Sequence, residues 1–138
     1  MGLSMKQNIE IKSGELIILD TAENYKIDLK ERLVNFTVNA IKFLETSPCR
    51  KEYGVFRYQF SKAATSIGAI YEKSQASIPR EFHARVAISL RESRETRFWY
   101  KVINKLHLGN EDTRRYVIQE SKEITLVTRS IASKTKQQ

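Results

Sequence analysis

Few side chains in this 138-residue sequence are spaced for covalent or acid–base chemistry. Glu92 and Glu95 stand three positions apart, which on a helix brings two carboxylates onto one face. Such a pair does acid–base work only where burial or mutual repulsion shifts a pKa. Arg91, Arg94 and Arg97 lie within reach of both carboxylates, so ion pairing is the favoured reading, some of it between subunits. His83 and His107 are too far apart in sequence to suggest a paired metal site, and neither adjoins a cysteine. They read as surface or helix-end histidines. Cys49 is the only cysteine and follows Pro48 in an expected loop, with no adjacent histidine or acid to activate it. Glycine-rich phosphate loops, zinc-ligand spacings and nucleophile elbows are not found. An enzyme is therefore the least favoured class, and no cofactor or metal is implied.

The chemistry that remains is electrostatic. Lysine and arginine outnumber acids to give a net charge of +8 and a pI near 9.7. A charge of that size concentrates polyanions near the surface without choosing among RNA, DNA, acidic proteins and anionic lipid. At about 100° per residue, Arg80, Arg91, Arg94, Lys101 and Lys105 fall within about a quarter of a helix circumference. That arc lies opposite Phe82, Val86, Ser93 and Tyr100. It reads either as a track for a phosphate backbone or as a solvated helix face, and the net charge favours the first. Phe98 falls within the stripe. It reads as a base-stacking platform or, preferred here, as an apolar contact in a subunit interface together with Glu92 and Glu95. Arg114, Arg115, Lys122 and Arg129 are weaker phosphate-contact candidates further along the chain.

These side chains need helices to hold them. Hydrophobic residues make up 41% and charged residues 29%, the balance of one folded domain. Five glycines and two prolines leave few turns, which favours a few long helices. A first helix is expected from about Asp28 to Thr46, with Asp28 and Glu31 as a capping box and Leu29, Leu33, Phe36, Ala40, Ile41 and Leu44 as its apolar stripe. Ser47-Pro48 ends it. A second helix, about Tyr53 to Ser74, carries Phe56, Phe60, Ala63, Ile67, Ile70 and Tyr71 at bundle spacing. Ala63, Ala64, Ser66, Gly68 and Ala69 make its middle slim, and a mid-helix glycine costs about 1 kcal/mol, so Gly68 implies a packing reason. The basic stripe lies on a third helix, from Pro79 to about Leu106, whose core face is Phe82, Val86, Ser93, Tyr100 and Ile103 with Trp99 at its edge. Leu108-Gly109-Asn110 breaks the chain, and Asn110 caps a fourth helix bearing Val117, Ser121, Ile124, Thr128 and Ile131. The predicted fold is all-α, an antiparallel up-and-down four-helix bundle.

Residues 1–25 are expected as an N-terminal extension, 26–132 as the bundle and 133–138 as a polar tail. Within the extension, Glu15 to Asp20 reads as a short extended segment packed on the bundle. Met5 is a possible alternative start. The apolar run Leu16 to Leu19 is too short to span a bilayer, no leader precedes it, and Lys6 stands where a myristoylation signal needs Ser or Thr. With a single cysteine, a reducing cytoplasm fits.

Two motifs carry a family resemblance. One is Thr65-Ser66-Ile67-Gly68-Ala69 with Glu72 beyond it; the other is Ala87-Ile88-Ser89-Leu90-Arg91-Glu92-Ser93-Arg94-Glu95-Thr96 followed by Trp99 and Tyr100. Together they resemble the bacterial four-helix-bundle family first noticed as proteins encoded within intervening sequences of large-subunit ribosomal RNA genes. The likeness centres on Tyr53 to Leu108 and extends over about residues 15 to 132. It implies an up-and-down bundle assembled as a ring-like homo-oligomer, commonly a pentamer. A related branch resembles the accessory subunit of diversity-generating retroelements, a basic barrel that binds RNA and a reverse transcriptase. Ile70 departs from the pattern, standing where the family usually has Asn, and Lys73 stands where many members carry an acid. The function expected from all of this is a homo-oligomeric module that binds nucleic acid, RNA preferred. A protein-interaction scaffold or accessory subunit, with a protein partner and no nucleic-acid role, is the alternative.

Overall fold

A computed structural model describes residues 7–12, 15–20 and 25–136. Helix α1 (Leu29–Glu45), α2 (Gly54–Ser74), α3 (Pro79–Lys105) and α4 (Glu111–Thr135) follow one another, with one 3-10 turn at Lys51–Tyr53. Each helix packs against its neighbours in sequence, and α1 closes the ring on α4. Consecutive helices that are also spatial neighbours across short turns make an up-and-down antiparallel bundle. Before the bundle, β1 (Gln7–Lys12), β2 (Glu15–Asp20) and β3 (Tyr25–Asp28) form an antiparallel sheet in that order. Its register sets Ile9 opposite Ile18 and Ile18 opposite Ile27. The extended segment expected at Glu15 to Asp20 is thus the central strand, and β2 and β3 adjoin α1. The first segment of the expected polar tail continues α4 as far as Thr135, while residues 137–138 lie outside the described ones.

Local sequence sets the helix ends. The Asp28 side chain accepts from the Lys30 amide at 3.0 Å, satisfying one of the free amides of the first turn of α1. Asn110 does the same for α4, accepting from the Thr113 amide at 2.9 Å. Pro79 occupies the first turn of α3, where its missing N–H costs nothing. Between α3 and α4 the backbone turns through positive φ at His107 (53°) and Gly109 (76°). A Cβ on Gly109 would stand 2.7 Å from the Phe43 ring, so this turn requires glycine for both its conformation and its space.

The apolar stripe of α1 is Leu29, Leu33, Phe36, Ala40 and Phe43, all buried. Ile41, expected in that stripe, is 45% exposed. Phe43, seven residues after Phe36, takes the inward position, and Ile41 falls with Val34 and Val38 on the outer face. The slim middle of α2 serves two neighbours. On one side, a Cβ at Gly68 would lie 3.3 Å from Leu33 Cβ of α1, which is the packing reason for this glycine. On the other, Ser89 Oγ of α3 donates to the Ile67 carbonyl of α2 at 2.9 Å, a bond that requires close backbone approach. Phe36, Phe43 and Phe60 surround Tyr100 with ring centroids 6.5, 6.0 and 4.7 Å from it. α1 is tied to α4 by Arg32, whose Nε and Nη2 donate side-on to the two Glu120 carboxylate oxygens, each at 2.8 Å, with Glu123 at 3.1 Å from Nη2. Burial works against the Arg32 charge, but the hydrogen bonds and charge of Glu120, followed by Glu123, outweigh it and raise its pKa.

Two stability outcomes follow. Among the described residues the buried Tyr100 hydroxyl has no hydrogen-bond partner, and burial pushes its pKa up. Tyr100→Phe removes that unmatched group and raises stability by about 1 kcal/mol in urea unfolding; a destabilised variant would mean that the hydroxyl is satisfied. Arg32→Ala leaves two carboxylates without their cation and costs about 3 kcal/mol, whereas Arg32→Met with Glu120→Leu recovers most of the loss. Equal losses in the two variants would show that the ion pair itself, rather than its uncompensated half, carries the stability.

Candidate nucleic-acid interface

The inward face of α3 is Val86, Ser89, Ser93, Thr96, Tyr100 and Ile103. Fixing that face fixes the opposite one. Arg80, Arg91, Arg94, Lys101 and Lys105 are all exposed on the outer side of the helix. Across its whole length α3 carries seven basic residues against three acidic ones. Among the described residues none of the seven forms an ion pair, whereas Arg32, Arg50 and Arg115 each do. The stripe is therefore positive charge without ion-pair partners along about 37 Å of helix from Arg80 to Lys105, dense from Arg91 onward.

α4 extends this face. Arg114 binds it to α3: its Nε donates to Asn104 Oδ1 at 3.1 Å and its Nη1 to the Leu108 carbonyl at 2.9 Å. Arg114, weighed from sequence as a phosphate contact, is 5% exposed and acts as a strut for the turn instead. Arg115 is exposed and pairs with Glu111 at 2.8 Å. Lys122 lines a cleft of about 420 Å³ with Asn104, His107, Arg114 and Arg115 where α3 meets α4. Arg129, two turns beyond Lys122, is exposed on the same side of α4. The sequence carries no sign of this cleft, because it arises where the ends of two helices meet across a turn.

Phe98 is 55% exposed within the stripe. Its ring meets Trp99 edge-to-face, centroids 5.0 Å apart at 77°. Trp99 Nε1 in turn donates to Glu95 Oε2 at 3.2 Å. Among the described residues neither Glu92 nor Glu95 forms an ion pair, so the pairing expected with Arg91, Arg94 and Arg97 is not made within the chain. Glu92 is half-buried and lies near the charge of Lys62 on α2. There, burial and then the charge of Glu95 raise the Glu92 pKa, opposed by Lys62 and Arg91. His83 is likewise tied to the fold, its Nδ1 3.0 Å from Thr135 Oγ1. Cys49 is exposed. Among the described residues there is no cluster of three or more His, Cys, Asp or Glu side chains suited to a metal, and no helix long and apolar enough to cross a membrane.

The raised Glu92 pKa has a definite sign. A carboxyl whose folded pKa exceeds its unfolded one opposes folding fully above the folded pKa, and the penalty fades as pH falls through that value and is gone below the unfolded one. Glu92→Gln therefore raises the melting temperature at neutral pH, and the difference from the parent protein closes as acid protonates the carboxyl. A gap that widens in acid would mean that the ionised group is stabilised, by a partner outside the chain.

Comparison of the sequence with protein-family models and with curated proteins gives no match. Among solved structures the fold is similar to a protein of unknown function from the S23 ribosomal protein family of Bacteroides thetaiotaomicron VPI-5482. The two share 21% identity and a TM-score of 0.68, over 75% of this chain and 97% of the other. At that identity the likeness establishes the helical fold alone.

Proposed function

We propose that this chain is a non-enzymatic, self-associating helical bundle that binds nucleic acid through the outer face of α3 and the adjoining side of α4. The observation that carries the reading is the exposed, unpaired charge of α3, with Arg80, Arg91, Arg94, Lys101 and Lys105 on one arc. Leaving cations unpaired along a helix face builds mutual repulsion into the fold, and a phosphate backbone relieves it while releasing counterions. RNA is preferred over DNA on the resemblance of the Gly68 and Arg91–Thr96 motifs to a family whose basic branch binds RNA. Self-association is supported by a separate feature. Val34, Val38 and Ile41 are exposed at helical spacing on the outer face of α1. α1 and α3 meet across the core, where Phe36 and Phe43 pack on Tyr100, so subunits meeting through the outer face of α1 leave the basic face open. Contact through Phe98, Glu92 and Glu95 is the competing arrangement. Each added copy multiplies the +8 of one chain into a stronger field.

The test is light scattering and titration with a structured RNA across a range of salt. Binding weakens steeply as salt rises, and Arg91→Glu with Arg94→Glu lowers the slope of log affinity against log salt by about 2 while the helical content is kept. Indifference to RNA at low salt would overturn the reading. A protein partner that survives nuclease treatment would then mark the chain as an interaction scaffold.

A further inference from the structure

The stripe contains one residue that electrostatics does not explain. Phe98 stands among cations at helical spacing: Arg94 four residues before it, Lys101 three after, Arg91 and Lys105 seven to either side. Single exposed apolar residues are common on protein surfaces and need no purpose. This one differs in being held. The Glu95 carboxylate fixes the Trp99 indole through its N–H, and the indole meets the Phe98 ring edge-to-face at 5.0 Å. Phe98 thus has the indole against it on one side while 55% of the residue stays exposed. Covering it with a second copy would also take Arg94 and Lys101 out of water without a counter-charge, unless acids met them there. A nucleic-acid strand supplies both needs at once, phosphates for the cations and a base for the ring.

We propose that Phe98 is a stacking platform for an unpaired base, so that the preferred ligand of this face is single-stranded nucleic acid. The inference rests on the nucleic-acid reading above and narrows it. In a duplex the bases are already stacked on one another, and opening a step to admit a side chain costs a few kcal/mol. The grooves of A-form RNA expose base edges, and only in the wide, shallow minor groove within reach of side chains, but no base face on which a ring could stack. In a single strand every base offers a π-face, and phosphates can follow the cations that recur every three or four residues along α3, a rise of about 5 Å. Because stacking tolerates any base, the site discriminates strandedness rather than sequence.

The experiment compares an unstructured RNA of about 12 nucleotides with a duplex of the same length, by fluorescence anisotropy at low and raised salt. Light scattering of each variant runs in parallel. The parent protein binds the single strand more tightly than the duplex. Phe98→Ala weakens the single strand by about 10-fold or more and leaves both the duplex and the salt slope unchanged. Phe98→Tyr keeps single-strand affinity, since the ring is retained. Trp99, the only tryptophan in the chain, changes its emission on binding the single strand in the parent protein. Phe98→Ala that binds both RNAs as the parent does, or weakens both alike, would overturn the stacking role while leaving the basic face as the binding site. Phe98→Ala that breaks the assembly apart would assign the ring to a subunit contact and likewise overturn it. A parent protein that binds neither RNA at low salt would end both readings, a result obtained without any variant.

Discussion

Because Ser89, Ser93 and Thr96 put small hydroxyl side chains on the core face of α3 in place of bulky apolar ones, the helix lies close enough to α2 for Ser89 Oγ to reach the Ile67 carbonyl at 2.9 Å. On α2, Ala63 and Ala64 are small and buried as well. This close contact sets the rotation of α3 about its own axis, and with it everything that the helix presents outward. A helix whose buried face were made of leucines would sit further away and have more freedom to turn. Here the hydroxyls of Ser93 and Thr96 are absorbed by carbonyls of their own helix, Leu90 and Glu92, at 2.7 and 2.8 Å, so nearly apolar packing is kept without bulk. The direction in which Arg91, Arg94, Phe98, Lys101 and Lys105 face follows from it.

Charge is distributed unevenly among the helices, and the distribution separates structural work from the candidate surface. Arg32, Arg57 and Arg114 are drawn into the packing: Arg32 ties α1 to α4 through Glu120 and Glu123, Arg57 donates from α2 to the Leu44 carbonyl of α1, and Arg114 holds the α3–α4 turn through Asn104 and Leu108. The basic residues of α3 have no such partners among the described residues, although acids are present on the same helix at Glu81, Glu92 and Glu95. Glu92 lies near the charge of Lys62 on α2, and Glu95 spends an oxygen on Trp99. The acids closest in sequence to the stripe form no ion pair with it among the described residues, and one of them accepts from the indole beside Phe98.

The sequence was sufficient for the four helices because each signal acts over a few residues. Asp28 and Asn110 cap, Pro79 starts a helix, and the four-three apolar spacing selects the inward face, all without reference to the rest of the chain. The slimness of α2 was legible in the same way, as was the outward arc of α3. Ile41 shows the limit: its hydrophobicity fits the core, but only the position of Phe43 against Phe60 and Tyr100, with centroids 6.5 and 6.0 Å away, decides which of them is inside. The strand pairing of the N-terminal segment is short-range, with Lys12 opposite Glu15 and Asp20 opposite Tyr25, yet only the central strand was read from the sequence.

Sequence alone therefore determined the all-helical bundle, its turns and the face on which the basic residues of α3 lie. Tertiary structure decided which charges are free. Arg32 and Arg114 look no different in sequence from Arg91 and Arg94, and the distinction depends on partners 88, 91, 10 and 6 residues away. It also decided that Phe98 is restrained by Trp99 and that Lys122 shares a cleft with Asn104 and His107. Periodicity reports a direction relative to one helix axis. Pairing, restraint and concavity are relations between side chains whose positions are set when the helices pack.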